Sequence, residues 1–158
     1  MAINYAALKT ELLTDPQTYG YAATLAAGEP EAAAALLNKI RNGTDGEGAI
    51  TVNRGAITPM ELMEAIDIRD LAIGGQLNAT LVGSWLESLL QSTGQIRLRD
   101  AAGAKTRTRD NIDRVLGTTN GSQARFDALA QRFGSRAEQL FGEGTVVTRE
   151  DIATARNS

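Results

Sequence analysis

Helix starts and stops recur along this chain at short intervals, and that punctuation limits the fold more than any other feature. Thr58-Pro59-Met60-Glu61 joins a threonine cap, a proline in the first turn and a glutamate three residues after the cap. Such a capping box with a proline start is a strong helix-start signal. Thr148-Arg149-Glu150-Asp151 and Thr108-Arg109-Asp110 repeat the grammar. Stops are as frequent: Asp15-Pro16, Asn42-Gly43, Gly74-Gly75 and Gly142-Glu143-Gly144. No helix much longer than five turns fits between them, so the chain reads as a succession of short helices.

The apolar periodicity places them. Asn4 caps a helix through Leu13 or Thr14 with Tyr5, Leu8 and Leu12 on one face, because Pro16 disfavours a helical Asp15. Asp15 and Pro16 then start a short helical turn that Gly20 ends. Residues 29–41 form the clearest helix, facing Ala33, Leu36, Leu37 and Ile40 to the core, with Glu29 and Glu31 at its positive end and Lys39 and Arg41 at the other. A helix over 58–73 buries Leu62, Met63, Ile66, Leu71 and Ile73. One over 76–94, with Leu77, Leu81, Trp85 and Leu89 in a stripe, is the expected central helix. Further helices follow over 108–117, capped by Thr108 and packing Ile112, Val115 and Leu116, and over 123–141, with Phe126, Leu129, Phe133, Ala137, Leu140 and Phe141 on one stripe. Gly134 inside that last run can bend or split it. Thr148 caps the final helix.

Two segments resist helical reading. Residues 42–57 hold Gly43, Gly46, Gly48 and Gly55, a density no helix tolerates. They form a small hairpin or an extended arm around Asn53-Arg54. Residues 95–108 begin with the alternation Ile96-Arg97-Leu98-Arg99 and read as a short hairpin or a basic loop. The expected fold is therefore all-α: a single-domain bundle of six or seven helices over residues 1–158, with protruding segments at 42–57 and 95–108 and at most one small β-hairpin. The length of 158 residues fits one domain. The three tyrosines are expected to pin the first helix to the body, each hydroxyl reaching a polar partner. The alternative is that they anchor a partner.

Chemistry is constrained by what is missing. With no Cys and no His, disulfides, thiol catalysis, His- or Cys-ligated zinc and Ser–His triads are excluded. The first residues lack a basic region followed by an apolar run, so no signal peptide is expected. No stretch reaches the roughly 20 apolar residues of a membrane span. Gly-Glu-Gly at 46–48 and 142–144 lacks the rest of a phosphate-loop motif. The loop around Asp45 and Glu47 lacks the ligand order of an EF-hand and reads as solvated. Glu61, Glu64, Asp67 and Asp70 read as a solvated acidic face rather than a pair of catalytic carboxylates. The expectation is no enzyme, no catalytic residue, no metal and no cofactor.

Charge offers the positive signal. Residues 1–96 carry 5 Lys+Arg against 11 Asp+Glu, and residues 97–158 carry 11 against 8. Arg97, Arg99, Lys105, Arg107 and Arg109 crowd one segment with only Asp100 opposing. Such a run can meet an acidic protein surface or DNA phosphates, or be a solvated loop. The absence of interleaved aromatics disfavours base stacking. With Ile50, Val52 and Arg54 of the glycine-rich arm, these five are the candidate partner-binding residues.

Four segments, LKTELLTDPQTYGY, EAAAALLNKIRN, ELMEAID and RAEQLFGEGTVVTREDIATAR, together resemble a family of small, mostly helical virion structural proteins of tailed bacteriophages, in the head–tail connector or neck region. The resemblance implies a non-enzymatic adaptor, assembled in the host cytoplasm into the virion, docking between portal and tail proteins. It implies self-association in a closed ring, expected at about twelve copies. Contact with genomic DNA is allowed but not favoured, and no membrane is involved. The alternatives are a minor capsid or tail-associated protein, and a helical nucleic-acid-binding or regulatory protein.

Overall fold

The capping signals fix most helix ends in the computed structural model, which describes residues 3–44, 46–67, 79–117 and 121–158. Asn4 caps α1 (Tyr5–Thr14) by accepting from the Ala7 amide. Asp15 closes α1 in the left-handed region at φ 39°, an uncommon conformation for a residue with a Cβ. It opens a single hydrogen-bonded turn, its carbonyl accepting from the Thr18 amide at 2.8 Å, and no helix. Its carboxylate accepts from the amides of Tyr19 (2.7 Å), Gly20 (2.7 Å) and Tyr21 (3.1 Å), and so caps α2 (Tyr21–Ala26) at its start. Gly20, at φ 93°, begins a helix rather than ending one. α3 (Pro30–Asn38) follows, and then the strand β1 (Ile40–Arg41).

β2 (Thr51–Asn53) and β3 (Ala56–Ile57) lie in the glycine-rich segment but do not pair with each other. Thr58 and Glu61 complete the expected capping box of α4 (Pro59–Ala65). α5 (Ala79–Leu90), β4 (Ile96–Arg97), α6 (Arg107–Leu116), α7 (Gly121–Leu129), β5 (Gln131–Ser135), α8 (Arg136–Phe141) and α9 (Arg149–Asn157) complete the order. The sheets are β1-β5-β2 and an antiparallel β3-β4 pair with Ala56 opposite Arg97 and Ile57 opposite Ile96.

The fold is thus mixed α/β and helix-rich, with nine helices and five short strands among the described residues, not the expected all-α bundle. The decisive difference is β5. The apolar stripe from Phe126 to Phe141 reads as one helix, yet the chain leaves it at Ala130 and becomes the middle strand of the larger sheet. Pairing with β1 sets Arg41 opposite Gly134 and Ile40 opposite Ser135. Gly134 is needed there because a Cβ would meet the two Val52 methyls at 2.6 and 2.7 Å. Ser135 then restarts the helix through a capping box with Glu138.

Strand periodicity also reverses one burial expectation. Ile40 is exposed while Arg41 is buried, its guanidinium carbon 3.7 Å from the centre of the Tyr19 ring. The expected central helix 76–94 is less central than expected: among side chains 82–90 of α5, none is fully buried. Met63, expected inside, is exposed. Leu71, Ile73, Leu77, the Gly74-Gly75 stop and the side chain of Leu81 lie outside the description.

The chain divides into two compact units, residues 1–52 with 133–158, and residues 53–132. In the first, α1 packs on α2 and α9, and α3 packs on α2, α8 and α9. Leu8, Leu12, Tyr21, Leu37, Phe141 and Ile152 form its core. An ion pair to the buried Glu11 ties its two chain segments together: Arg136 Nε and Nη2 donate to the two Glu11 carboxylate oxygens at 2.7 and 2.8 Å. Tyr5 donates to Asp151 at 2.9 Å, as expected of the tyrosines. Tyr21 differs, since its buried hydroxyl has no hydrogen-bond partner among the described residues. Burial pushes its phenol pKa up, Glu11 adding to the shift and Arg41 opposing it.

In the second unit, α4 packs on α5 and α7, and α6 packs on α7 and β4. Ile57, Leu62, Ile96, Leu98, Ile112, Leu116 and Phe126 form its core. Arg125 Nε donates to the Ala65 carbonyl, and Ser122 Oγ accepts from the Asp67 amide, so α7 is tied to the end of α4.

Candidate interaction surface

The basic segment is built on a tight turn between a strand and a helix. Ile96 and Leu98 alternate inward, which aims Arg97 at solvent. The Asp100 carboxylate accepts from the amides of Ala102 and Ala104 at 2.9 Å each, and Gly103 takes φ 83°. Arg99 and Lys105 then meet in an isolated antiparallel bridge. Thr106, not Thr108, caps α6: its hydroxyl donates to the Arg97 carbonyl at 2.7 Å and accepts from the Arg109 amide at 3.2 Å. One threonine therefore joins strand to helix and brings the backbone of Arg97 beside the first turn holding Arg107.

The five basic residues divide by what they touch. Arg109 is internal. It donates to Asp113 at 2.9 Å, pairs with Asp127, and lies with its guanidinium carbon 4.3 Å from the centre of the Phe126 ring. Lys105 pairs with Asp113 at 3.0 Å. Burial works against the Asp113 charge, but hydrogen bonds from Arg109, Lys105 and Gln123 outweigh it and hold the carboxyl below its ordinary range. Arg99 donates to the Gly103 carbonyl at 2.7 Å. Arg97 and Arg107 remain exposed, with no side-chain partner among the described residues. Arg114 is likewise exposed and unpaired, seven residues beyond Arg107 and so on the same face of α6. Sequence reasoning missed Arg114, although the two-turn spacing was there to find.

The candidates in the glycine-rich segment are placed differently. Ile50 and Val52 are buried inside the first unit, Ile50 between the Arg41 carbonyl and the Gly134 amide. They belong to the fold and offer a partner no surface. Arg54 donates to Glu61 at 2.8 Å, and its amide donates to the Ala130 carbonyl at 2.9 Å. The pair with Arg54, the Thr58 amide and the Thr58 hydroxyl hold the Glu61 carboxyl down at about 2. Arg54 is thereby a clamp within its unit. Glu47 faces Lys39 at 3.3 Å and lies 3.0 Å from Arg41 Nε, out of line for a hydrogen bond. Asp45 and Asp70 lie outside the description. Among the described residues no group of three or more acidic side chains could hold a metal ion, and no helix is long and apolar enough to cross a membrane.

The second kind of surface is apolar. Leu13, Ile40, Met60, Met63, Phe133 and Val146 are each at least 50% exposed. Met60 and Met63 share one face of α4 with the exposed Glu64, while Leu62 and Ala65 face the core. A short helix that is apolar on two faces signals a second contact, and Met60-Glu61-Leu62-Met63 carried that signal in the sequence. Comparison of the chain with protein-family models, curated proteins and solved structures finds no match in any of the three.

Proposed function

We propose that the chain is a structural, non-enzymatic subunit of a tailed-phage virion, a head–tail adaptor or neck protein that docks between portal and tail and associates with copies of itself in a ring. The observation that carries the reading is the exposed apolar set Leu13, Ile40, Met60, Met63, Phe133 and Val146. Within that set Met60 and Met63 adjoin on one face of α4, and an apolar pair left open on a helix suits a subunit that finishes its burial in an assembly. The phage-like segments at 8–21, 31–42, 61–67 and 136–156 supply the kind of assembly. Partner recognition is assigned to Arg97, Arg107 and Arg114, three exposed cations with no side-chain partner among the described residues, facing acidic side chains of a neighbour.

Mass spectrometry of purified virions tests this directly. The protein is expected in particles at many copies each; presence in infected cells but absence from particles overturns the reading. A nucleic-acid reading has one observation in its favour: Arg107 sits in the first turn of α6, where a cation opposes the helix dipole and an anion would relieve it. A titration with duplex DNA across salt concentrations separates the two. A steep fall in affinity with salt favours phosphate contact, and a weak, flat response removes it.

A further inference from the structure

The first unit carries a groove of about 290 Å³ lined by α1 and α2, with Arg156 of α9 beside them. Its floor is apolar, from Leu12, Leu13 and Leu25, and its rim holds Lys9 and Arg156. Lys9 donates to the Ser158 carbonyl at 3.0 Å, which draws the end of α9 to the rim and sets the two cations at the same end. Leu13, 69% exposed, is the most open apolar side chain of the floor.

The shape and charge of this groove match another element of the same chain. The outer face of α4 presents Met60, Met63 and Glu64, all exposed, and Glu64 has no partner among the described residues. From Met60 to Glu64 is four residues, about 6 Å along a helix, and Lys9 to Leu13 is the same step on α1. Antiparallel placement sets Glu64 against Lys9 and Arg156 while Met60 reaches Leu13. Methionine suits a shallow floor of leucine and alanine, since its unbranched thioether adapts to irregular surfaces.

We infer that the groove between α1 and α2 receives the α4 face of a second copy of this chain. The inference rests on the assembly reading above and supplies its subunit contact. The contact is heterologous: one copy offers α4 and receives another's α4 in its groove, so it propagates from copy to copy until a ring closes. Polarity comes from Glu64 against Lys9 and Arg156, which disfavours two grooves or two α4 faces meeting.

Sedimentation velocity on the intact protein over a wide concentration range tests it. Leu13→Glu disables the groove, and Met63→Glu disables the α4 face. Both side chains are already more than half exposed, so each variant is expected to keep the wild-type circular dichroism and melt. The wild type is expected to associate, and each variant alone is expected to associate at least about tenfold more weakly. Mixed in equal amounts, the two variants are expected to form a one-to-one pair and nothing larger, because only one intact groove and one intact α4 face remain. Wild-type-like assembly by either variant, or a mixture that stays monomeric while the wild type assembles, overturns the contact and leaves the assembly reading standing. A wild type that is monomeric throughout also overturns it, since the groove's occupant would then be an acidic helix of another protein. The presence of the chain in particles is decided separately by the virion analysis.

Discussion

Gly134 is the residue on which the departure from an all-helical chain turns. A methyl group there would lie 2.6 and 2.7 Å from the two Val52 methyls, and Val52 is itself buried. Gly134→Ala is therefore expected to destabilise the protein by about 1–3 kcal/mol, the usual cost of overpacking, read from the urea midpoint. Alanine is the better helix former, so a gain in stability would mean that β5 does not form. The basic segment gives the opposite lesson, in that neighbouring arginines have different roles. Arg109→Glu removes the bonds to Asp113 and Asp127 and the contact with the Phe126 ring, and adds a carboxylate beside two others. A loss of about 2–4 kcal/mol is expected. Arg107→Glu removes no side-chain hydrogen bond or ion pair among the described residues and places an anion at the positive end of α6. It is expected to leave stability unchanged or raise it by about 0.3–1 kcal/mol, while abolishing any contact with an acidic partner. Equal destabilisation by the two substitutions would show that Arg107 is part of the fold.

At the scale of elements, α4 shows how a local signal is reinforced by the fold. The capping box gives Glu61 two bonds from Thr58, and Arg54 adds a third. A carboxyl held at about 2 against an ordinary value of 4.5 is more stable charged in the folded chain than in the unfolded one. Its contribution is therefore complete above pH 4.5 and is lost as pH falls toward 2. Because the pair is partly open to solvent, the contribution is about 1 kcal/mol. Glu61→Gln should lower stability by that amount at pH 7 and flatten the decline between those limits, as followed by urea midpoints at successive pH values; an unchanged pH profile would remove the role. The caps at Asn4, Thr58 and Thr148 were legible because a cap is a contact across three residues, written in adjacent letters. Thr106 was missed in favour of Thr108 because what selects it is the carbonyl of Arg97, nine residues back. β5 was hidden for a stronger form of the same reason. Its partners β1 and β2 lie more than 75 residues away in the chain, and its apolar letters continue a helical stripe. One local sign was overlooked: Ser135-Arg136-Ala137-Glu138 is a capping box and starts a new helix inside the stripe. The buried places of Ile50 and Val52 were illegible too, since a glycine-rich run of this length reads as an arm until its strand partner is known.

At the scale of the whole molecule, the chain's two ends build one unit and its middle builds the other. That regroups the charge. The first unit carries 6 Lys+Arg against 10 Asp+Glu and the second 10 against 9, so the contrast between sequence halves narrows once the fold is known. It also sets how the molecule should behave when divided. The core of the second unit is drawn entirely from residues 57–130. A fragment covering 53–132 is therefore expected to keep helical circular dichroism and a cooperative melt, at reduced stability given its small size. The first unit cannot do this from residues 1–52 alone. Ala137, Phe141, Val147, Ile152 and Ala155 come from the other chain segment, as do Arg136, which neutralises the buried Glu11, and Asp151, which receives the Tyr5 hydroxyl. Without them α1 and α3 lose the surfaces they cover and Glu11 loses its counter-ion. Peptide 1–52 should be largely unfolded, and adding peptide 133–158 should restore helix in a saturable, one-to-one manner. Glu11→Gln in the first peptide should weaken that restoration, because the partly buried Arg136 would then lose its counter-charge. Helix in 1–52 that needs no second peptide would show that this core does not depend on the chain's return.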